Sequence, residues 1–443
     1  MDTQGQHSHR ELAQQLLDAP SPFLRALTTV ADRRDVVASD DIFARGGIKL
    51  VSRGTALSGS FYERLTVHKL LKPIEQTVSI ADAPDAARII ALAHAAAGQI
   101  PSLQPLLGSS MLARLGDLLG DAVIPAELAL KLAVMQEERP RLFRHSLVAA
   151  AVSMVLGIRG QLPPRELQAL ALASICHDIG ELYIDPDFFC PERRMSADER
   201  RHLYVHPVTG YLMLRNFPEL PEGTAQAVLQ HHERLDGAGY PYRLRGDEIS
   251  RLGRFLAVAE VSASLVENQG ADRRIGIKFR MNANKYDREA VSLISGLFDV
   301  IEPQAADAAE AQRLGQRLAR LSALFASWQR FYDASTAEQR TAIAPIVDRV
   351  VGLRLMVLEP GFDQFHLEDI LDLAGESDAE VALELAVLVD ELTWHFDALL
   401  NAIERERRVW GMEIPGSIRS GLDAWLQEVR AFVSDDIPLS GGR

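Results

Sequence analysis

Cysteine is nearly absent from this 443-residue chain. Only Cys176 and Cys190 occur, and they form no CxxC pair. That argues against a disulfide scaffold and against a cysteine zinc site. Basic charge is also short: 47 Lys+Arg stand against 61 Asp+Glu, a formal net charge of −14. A general nucleic-acid coat needs a basic surface to neutralise phosphates, so no nucleic-acid polymer is expected as a partner. The longest weakly polar run, Ser146 to Ile158, falls short of the roughly 20 residues that span a bilayer. The opening MDTQGQHSHRE carries no apolar stretch of the secretory kind. The expectation is a cytoplasmic protein without a membrane partner. No fixed-period repeat and no low-complexity tract is visible. What remains is ordinary globular usage, with 47% hydrophobic and 24% charged residues, which argues against a disordered chain. At roughly 100–200 residues per domain, the length points to two to four domains.

Periodicity predicts a mostly α protein in three regions. Residues 1–83 form an N-terminal region. In it, Asp41 to Val51 has two short apolar runs around Gly46-Gly47, the mark of a β-hairpin and the one clear strand signal. Apolar residues from Tyr62 to Leu71 recur at three and four and predict a helix ended by Pro73. Residues 84–302 form a helical domain. Its first part, 84–136, is rich in Ala and Leu with breaks at Pro101, Pro105 and Gly120. A core helix is expected over Phe143–Leu156, and another starts at Pro163-Pro164 and runs into Cys176-His177-Asp178. Residues 303–443 form a C-terminal helical region, with long patterns over Ala305–Tyr332 and Ala379–Trp410. Residues 139–290 hold 21 basic and 19 acidic side chains, while the rest of the chain is strongly acidic. The middle segment is therefore the part suited to an anionic ligand.

That segment holds His145, His177, His206, His231 and His232 together with Asp178. His145 opens an apolar helix, and His177-Asp178 ends another. His206 precedes Pro207 at a helix start, and His231-His232 ends a helix that begins near Pro221. Neutral imidazole is the commonest ligand of borderline metals, and a carboxylate bridges two of them. Histidines at the ends of apolar helices can point into one pocket. Five imidazoles with carboxylates suit two divalent transition-metal ions, Fe or Mn, better than one structural zinc. The stretch His231-His232-Glu233-Arg234-Leu235-Asp236-Gly237-Ala238-Gly239-Tyr240-Pro241 serves no ordinary helix. By contrast, His68, His94 and His202 stand alone and are read as surface or core residues.

HDIG (177–180), His206-Pro207 and HHERLDGAGYP (231–241) resemble the HD-GYP domain, a branch of the HD phosphohydrolases. The resemblance covers roughly residues 139–300. It implies an HD-type helical bundle, flanked here by the small N-terminal β-hairpin element and the C-terminal helices. It also implies hydrolysis of cyclic di-GMP to pGpG or GMP. By position it makes His145, His177, Asp178, His206, His231 and His232 metal ligands, with Asp178 as the bridge and the catalytic carboxylate. The family's last ligand is an Asp, and Glu260 stands there in Ala257-Val258-Ala259-Glu260, one methylene longer. Glu181 follows HDIG where the family usually has Lys. Arg141 stands where some members carry a Glu for a third metal, which favours two ions. Ala263 replaces an Asp three residues beyond the last ligand.

The function expected is therefore a phosphodiesterase in which two ions lower the pKa of a bridging water and the resulting hydroxide attacks phosphorus. Arg234 and Arg254 are candidate phosphate contacts, although either also fits a structural ion pair. Gly239, Tyr240 and Pro241 would line the pocket mouth, with Tyr240 stacking on a guanine or packing the loop. Two other functions fit the same residues. One is a catalytically degenerate sensor or scaffold that binds metal or nucleotide and engages protein partners through its C-terminal helices; Glu181, Ala263 and Arg141 motivate it. The other is an HD hydrolase for a different phosphate ester or cyclic dinucleotide.

Overall fold

The structure is a computed structural model and describes residues 3–18, 22–100, 123–189, 197–269, 274–298, 308–358, 367, 379–409 and 416–436. Cys190 and the helix breaks expected at Pro101, Pro105 and Gly120 lie outside the described residues. The chain divides into two compact units. One comprises Met1–Ala271 with Asn284–Leu297, and the other Asp272–Ala283 with Phe298–Arg443.

The first unit opens with α1 (Thr3–Asp18) and α2 (Pro22–Ala31). Strands β1 (Val36–Ala38), β2 (Ile42–Phe43) and β3 (Lys49–Val51) follow, then α3 (Phe61–Val67) and β4 (Val78–Ile80). β2 pairs antiparallel with β3, and Gly47 takes the left-handed turn at φ 79° that L side chains rarely adopt. This is the hairpin the paired glycines predict. A second antiparallel pair, β1 with β4, matches Val36 to Ile80 and Ala38 to Val78. Its strands are three residues long and about forty apart, too short for a period-two pattern to announce them. α3 stops at Val67 rather than running to Pro73. Beyond it the backbone turns extended and pairs with the hairpin, Arg45 N–H donating to Lys69 C=O at 2.8 Å and Leu71 N–H to Phe43 C=O at 2.8 Å.

α4 (Ala86–Gly98), α5 (Ala126–Glu138), α6 (Pro140–Arg159), α7 (Pro164–Cys176), α8 (Ala197–Tyr204), α9 (His206–Leu214), α10 (Thr224–Gln230) and α11 (Arg251–Gln269) complete most of this unit. α6 and α7 each begin with proline, whose missing N–H costs nothing in a first turn. α6 is the central helix and packs on α4, α5, α7 and α11. It is long and apolar enough to cross a membrane by length and composition, but 72% of that stretch is buried, as befits a core helix. Gly157 on α6 lets α7 approach closely, since a Cβ there would meet Leu167. α10 packs on α7, α9 and α11. The ends of these helices meet at the candidate site.

The second unit contains α12 (Arg274–Met281) and, after α13 (Arg288–Phe298), which falls almost wholly in the first unit, α14 (Ala308–Ala334), α15 (Ala337–Ala342), α16 (Ala344–Leu358), α17 (Ala379–Val409) and α18 (Gly416–Asp436). Leu318, Leu321, Phe325 and Trp328 of α14 interlock with Leu392 and Phe396 of α17 and with Leu422 and Trp425 of α18. The apolar stripes read from the sequence thus form a bundle core. Buried Glu391 accepts from Asn282 Nδ2 at 3.0 Å and lies 3.2 Å from Lys278 Nζ, which ties α12 to α17.

Candidate metal centre

Three helix ends and two helix flanks build the site. His177 and Asp178 follow the last turn of α7, His206 starts α9, and His231 and His232 follow α10. His145 lies in the second turn of α6, and Glu260 lies midway along α11. Their ligand atoms fall into two groups that share Asp178. One group is Asp178, His206, His231 and His232; the other is His145, His177 and Asp178. Within each group the ligand atoms lie within 4.8 Å of one another. Asp178 Oδ1 is 3.2 Å from His206 Nε2 and 3.5 Å from His231 Nε2, while Oδ2 is 3.1 Å from His177 Nε2. The six residues the sequence marks as histidine and aspartate ligands therefore converge. Glu260 stands outside both groups. Its Oε2 is buried without a hydrogen-bond partner, and its charge acts on His145 and His177.

Local backbone chemistry orients three of the imidazoles. His177 Nδ1 contacts Ser174 C=O at 2.7 Å, His206 Nδ1 contacts Leu203 C=O at 2.7 Å, and His231 Nδ1 contacts Val228 C=O at 2.6 Å. Each carbonyl lies in the last turn of a helix, where it lacks an ordinary helical donor. A histidine just past such an end finds that acceptor three residues back. Only a protonated Nδ1 can serve a carbonyl, so each Nε2 carries a lone pair in the neutral tautomer. Those lone pairs point at each other and at a carboxylate. His206 Nε2 and His231 Nε2 are 3.2 Å apart, and His177 Nε2 is buried without hydrogen-bond geometry to any partner. A cation placed among these atoms would satisfy all of them at once. The residues present therefore fit divalent metal ions.

Two of the imidazoles are held neutral by burial, and one carries a proton that a metal would replace. Burial favours a neutral His231 and, despite Asp178, holds it down to about 3. Burial also keeps His232 well below its ordinary range, helped by His231 and His206. Burial works against ionised Asp178, but His177 outweighs it and keeps the carboxyl well below the usual range. His177 is pushed down by burial and pulled up further by Asp178, to about 9. Metal binding would displace that proton. Cys176, next to this set, is held at about 12 by burial and is inert as a nucleophile.

The motif glycines have a steric cause. A Cβ on Gly180 would run into the carbonyl of His206, so the HDIG turn and the start of α9 meet backbone to backbone. Replacing Gly180 with alanine is expected to displace His206, lower metal content and cost about 1–3 kcal/mol of stability. Metal analysis alongside thermal melts checks this, and parent-like values in both would refute it. Gly239 is equally constrained, because a Cβ would strike the backbone of His232, Glu233 and Arg234.

The loop from Glu233 to Tyr242 closes on itself. Tyr240 N–H donates to His232 C=O at 3.1 Å, and the Tyr240–Pro241 peptide is cis. The Tyr240 ring stacks on His232 with centroids 4.6 Å apart and lies 4.6 Å from the Tyr204 ring. Burial keeps its phenol protonated, well above its ordinary value. Arg234 donates to the carbonyls of His231 and Glu233 and lies 5.0 Å over the Tyr286 ring, so it braces the His-His turn. Arg254 pairs with Asp247 at 3.3 Å and Asp287 at 3.4 Å. It sits six residues before Glu260 and about two-thirds of a turn around α11 from it.

Two carboxylates of consequence escaped the sequence. Glu233, inside the motif, accepts from Tyr242 N–H at 2.6 Å and Leu244 N–H at 3.0 Å and so ties the loop. Glu267 lies 2.8 Å from His145 Nδ1. Its one sequence signal was a spacing of seven from Glu260, which puts both on one face of α11.

Residues 127–289 match the family model described as HD domain. The series HDIG, His206-Pro207 and HHERLDGAGYP within this stretch resembles the HD-GYP kind. Three curated relatives align with it. A cyclic di-GMP phosphodiesterase of Pseudomonas aeruginosa is 28% identical over 29% of this chain and 31% of its own length. The cyclic di-GMP phosphodiesterase response regulator RpfG of Xanthomonas campestris pv. campestris is 33% identical over 28% of this chain and 32% of its own. 3′3′-cGAMP-specific phosphodiesterase 1 of Vibrio cholerae is 28% identical over 36% of this chain and 37% of its own. The chain spans about a third of the length of these relatives.

Proposed function

We propose that this protein is a metal-dependent phosphodiesterase of the cytoplasm that hydrolyses a cyclic dinucleotide, with cyclic di-GMP as the first candidate. The observation that carries this is the meeting of three imidazole lone pairs with both oxygens of Asp178. Two divalent ions, Fe or Mn, would supply Lewis acidity and an activated water when bound. His206, His231, His232 and Asp178 would hold one, and His145, His177 and Asp178 the other, with Glu260 offering a further oxygen. Asp178 is ionised and buried, so it can bridge the two groups while its turn is held by the HDIG backbone. The Tyr240 loop, tied by Glu233, gives one wall beside His232. In the reaction, water adds to phosphorus and the P–O3′ bond breaks, which opens the ring to a linear dinucleotide with a 5′-phosphate, pGpG, or with a second cut GMP. The relatives named for cyclic di-GMP and for 3′3′-cGAMP define the substrates to compare. Purified protein given Mn(II) or Fe(II) should linearise one of the two. No turnover of either, with metal bound, would refute hydrolysis.

One observation favours a second function. Glu181 is buried in the turn that follows Asp178, its N–H donating to Asp178 C=O at 2.9 Å. An anion in that turn disfavours a phosphodiester nearby. A sensor that binds metal or nucleotide without cleaving it would use the C-terminal helices for output to a protein partner. Binding of cyclic di-GMP without product formation is its expected result.

A further inference from the structure

His145 differs from the other oriented ligands in how its Nδ1 is served. His177, His206 and His231 each use a backbone carbonyl left over at a helix end. His145 lies inside α6, where backbone carbonyls are already engaged. The carbonyl three residues back, on Leu142, accepts from Ser146 Oγ at 3.1 Å besides its helical bond. No local acceptor is therefore left for His145. A side chain from another helix takes the role: Glu267 of α11, with Oε2 2.8 Å from His145 Nδ1. The other oxygen, Oε1, lies 3.5 Å from Arg144 Nη1. The carboxylate is thus held from both sides; the His145 and Glu267 side chains are mostly buried, 17% and 14% exposed, while Arg144 is half-exposed at 46%.

We propose that Glu267 is a positioning residue for one metal position only, the one built from His145, His177 and Asp178. This rests on the metal-dependent function proposed above. The carboxylate turns the His145 ring so that its other nitrogen faces His177, whose ring lies edge-on with centroids 5.4 Å apart. A carboxylate acceptor also makes the imidazole a stronger donor than a carbonyl acceptor does. The second group, His206, His231 and His232, has no link to Glu267 through a hydrogen bond or ion pair among the described residues. Loss of an outer partner of this kind typically weakens metal affinity about 10–100-fold. The consequence is asymmetric: one ion is loosened and its neighbour is kept.

The test titrates Mn(II) alone into the full chain and into Glu267→Ala and Glu267→Gln, with metal per chain measured after dialysis and the Mn(II) EPR spectrum recorded. The parent is expected to hold two ions with a spin-coupled spectrum. Glu267→Ala is expected to keep one ion at parent affinity, to bind the second about 10–100-fold more weakly, and to show the six-line spectrum of an isolated Mn(II). Glu267→Gln keeps a hydrogen-bond acceptor of the same size and is expected to recover the second ion at an affinity between the two. Two ions at parent affinity in both variants would overturn the inference. So would simultaneous loss of both ions in both variants with a lowered melting temperature, which assigns Glu267 to packing. Hydrolysis is not read in this titration. A chain that binds two ions and loses one in Glu267→Ala therefore supports the inference even where no cyclic dinucleotide is cleaved.

Discussion

Asp178→Asn is expected to strip both metal positions and lower cyclic-dinucleotide turnover about 10³-fold or more. The substitution keeps the shape and removes the charge. In the native site Asp178 offers one oxygen to His206 and His231 and the other to His177, so it belongs to both groups of ligands. No other residue does so among the described ones. An amide presents one oxygen and one N–H₂, and the N–H₂ repels a cation. Lewis-acid stabilisation by a bound metal is worth several kcal/mol. At 1.36 kcal/mol per tenfold in rate, about 4 kcal/mol corresponds to about 10³. Metal content, turnover and a far-UV spectrum on one sample check it. A variant that stays folded, holds two ions and turns over at the parent rate would show that Asp178 bridges nothing. Glu267→Ala, by contrast, should remove one ion, which separates the shared ligand from the one-sided support.

The second large effect lies away from the metals. Lys131 of α5 is buried, and its Nζ is 2.6 Å from Glu75 Oε1 in the short turn before β4. Tyr183, in the turn after HDIG, donates its hydroxyl to the same oxygen at 2.9 Å. The ammonium also lies 4.8 Å over the Phe23 ring of α2. One buried ion pair therefore joins the N-terminal element to the HDIG turn. Taking either partner away leaves an uncompensated buried charge, which costs about 3–5 kcal/mol. At roughly 2–4 °C per kcal/mol, Lys131→Met or Glu75→Gln should melt about 6–20 °C lower. The double variant should recover a large share, because two neutral groups replace the pair. A melting temperature within 2 °C of the parent in both single variants, by roughly the same conversion, would refute this.

The same pair makes a pH prediction. Burial raises the Glu75 carboxyl, but Lys131 and the Tyr183 hydroxyl outweigh it and leave it below its ordinary range. Its contribution to stability is complete above that range and is lost as pH falls through the lowered native value. Lys131 is itself lowered, chiefly by burial and against the pull of Glu75. It acts at the alkaline end, where stability gains as pH rises past its native value toward the ordinary lysine range. Glu75→Gln should flatten the acid limb of the stability curve. An unchanged acid limb would show that other carboxylates cause it.

Much of the site was legible before any coordinates, because it is built from helix ends. Pro164 starts α7, Pro207 lies in the first turn of α9, and HDIG and the His-His doublet follow the ends of α7 and α10. Proline, glycine and terminal histidine are local signals, and the carbonyl that orients His177, His206 and His231 lies only three residues back in each case. The Gly46-Gly47 hairpin was legible for the same reason. The β1–β4 pair was not, since its bonds join residues about forty apart. Arg234 and Arg254 show the same limit. As residues they are cations suited to phosphate, and in the structure Arg234 braces the His231 turn while Arg254 pairs with Asp247 and Asp287.

The amino-acid order alone determined a mostly helical chain, the kinds of metal-binding groups it carries, and the helix termini that hold them. Those properties follow from backbone hydrogen bonding over a few residues. Tertiary structure decided that Asp178 serves two clusters, that Glu267 reaches His145 across α6 and α11, and that Lys131, Glu75 and Tyr183 share one buried contact. Each of these depends on distances between helices. Such distances are set by how buried side chains such as Leu167 against Gly157 fill space, and no single segment encodes that packing.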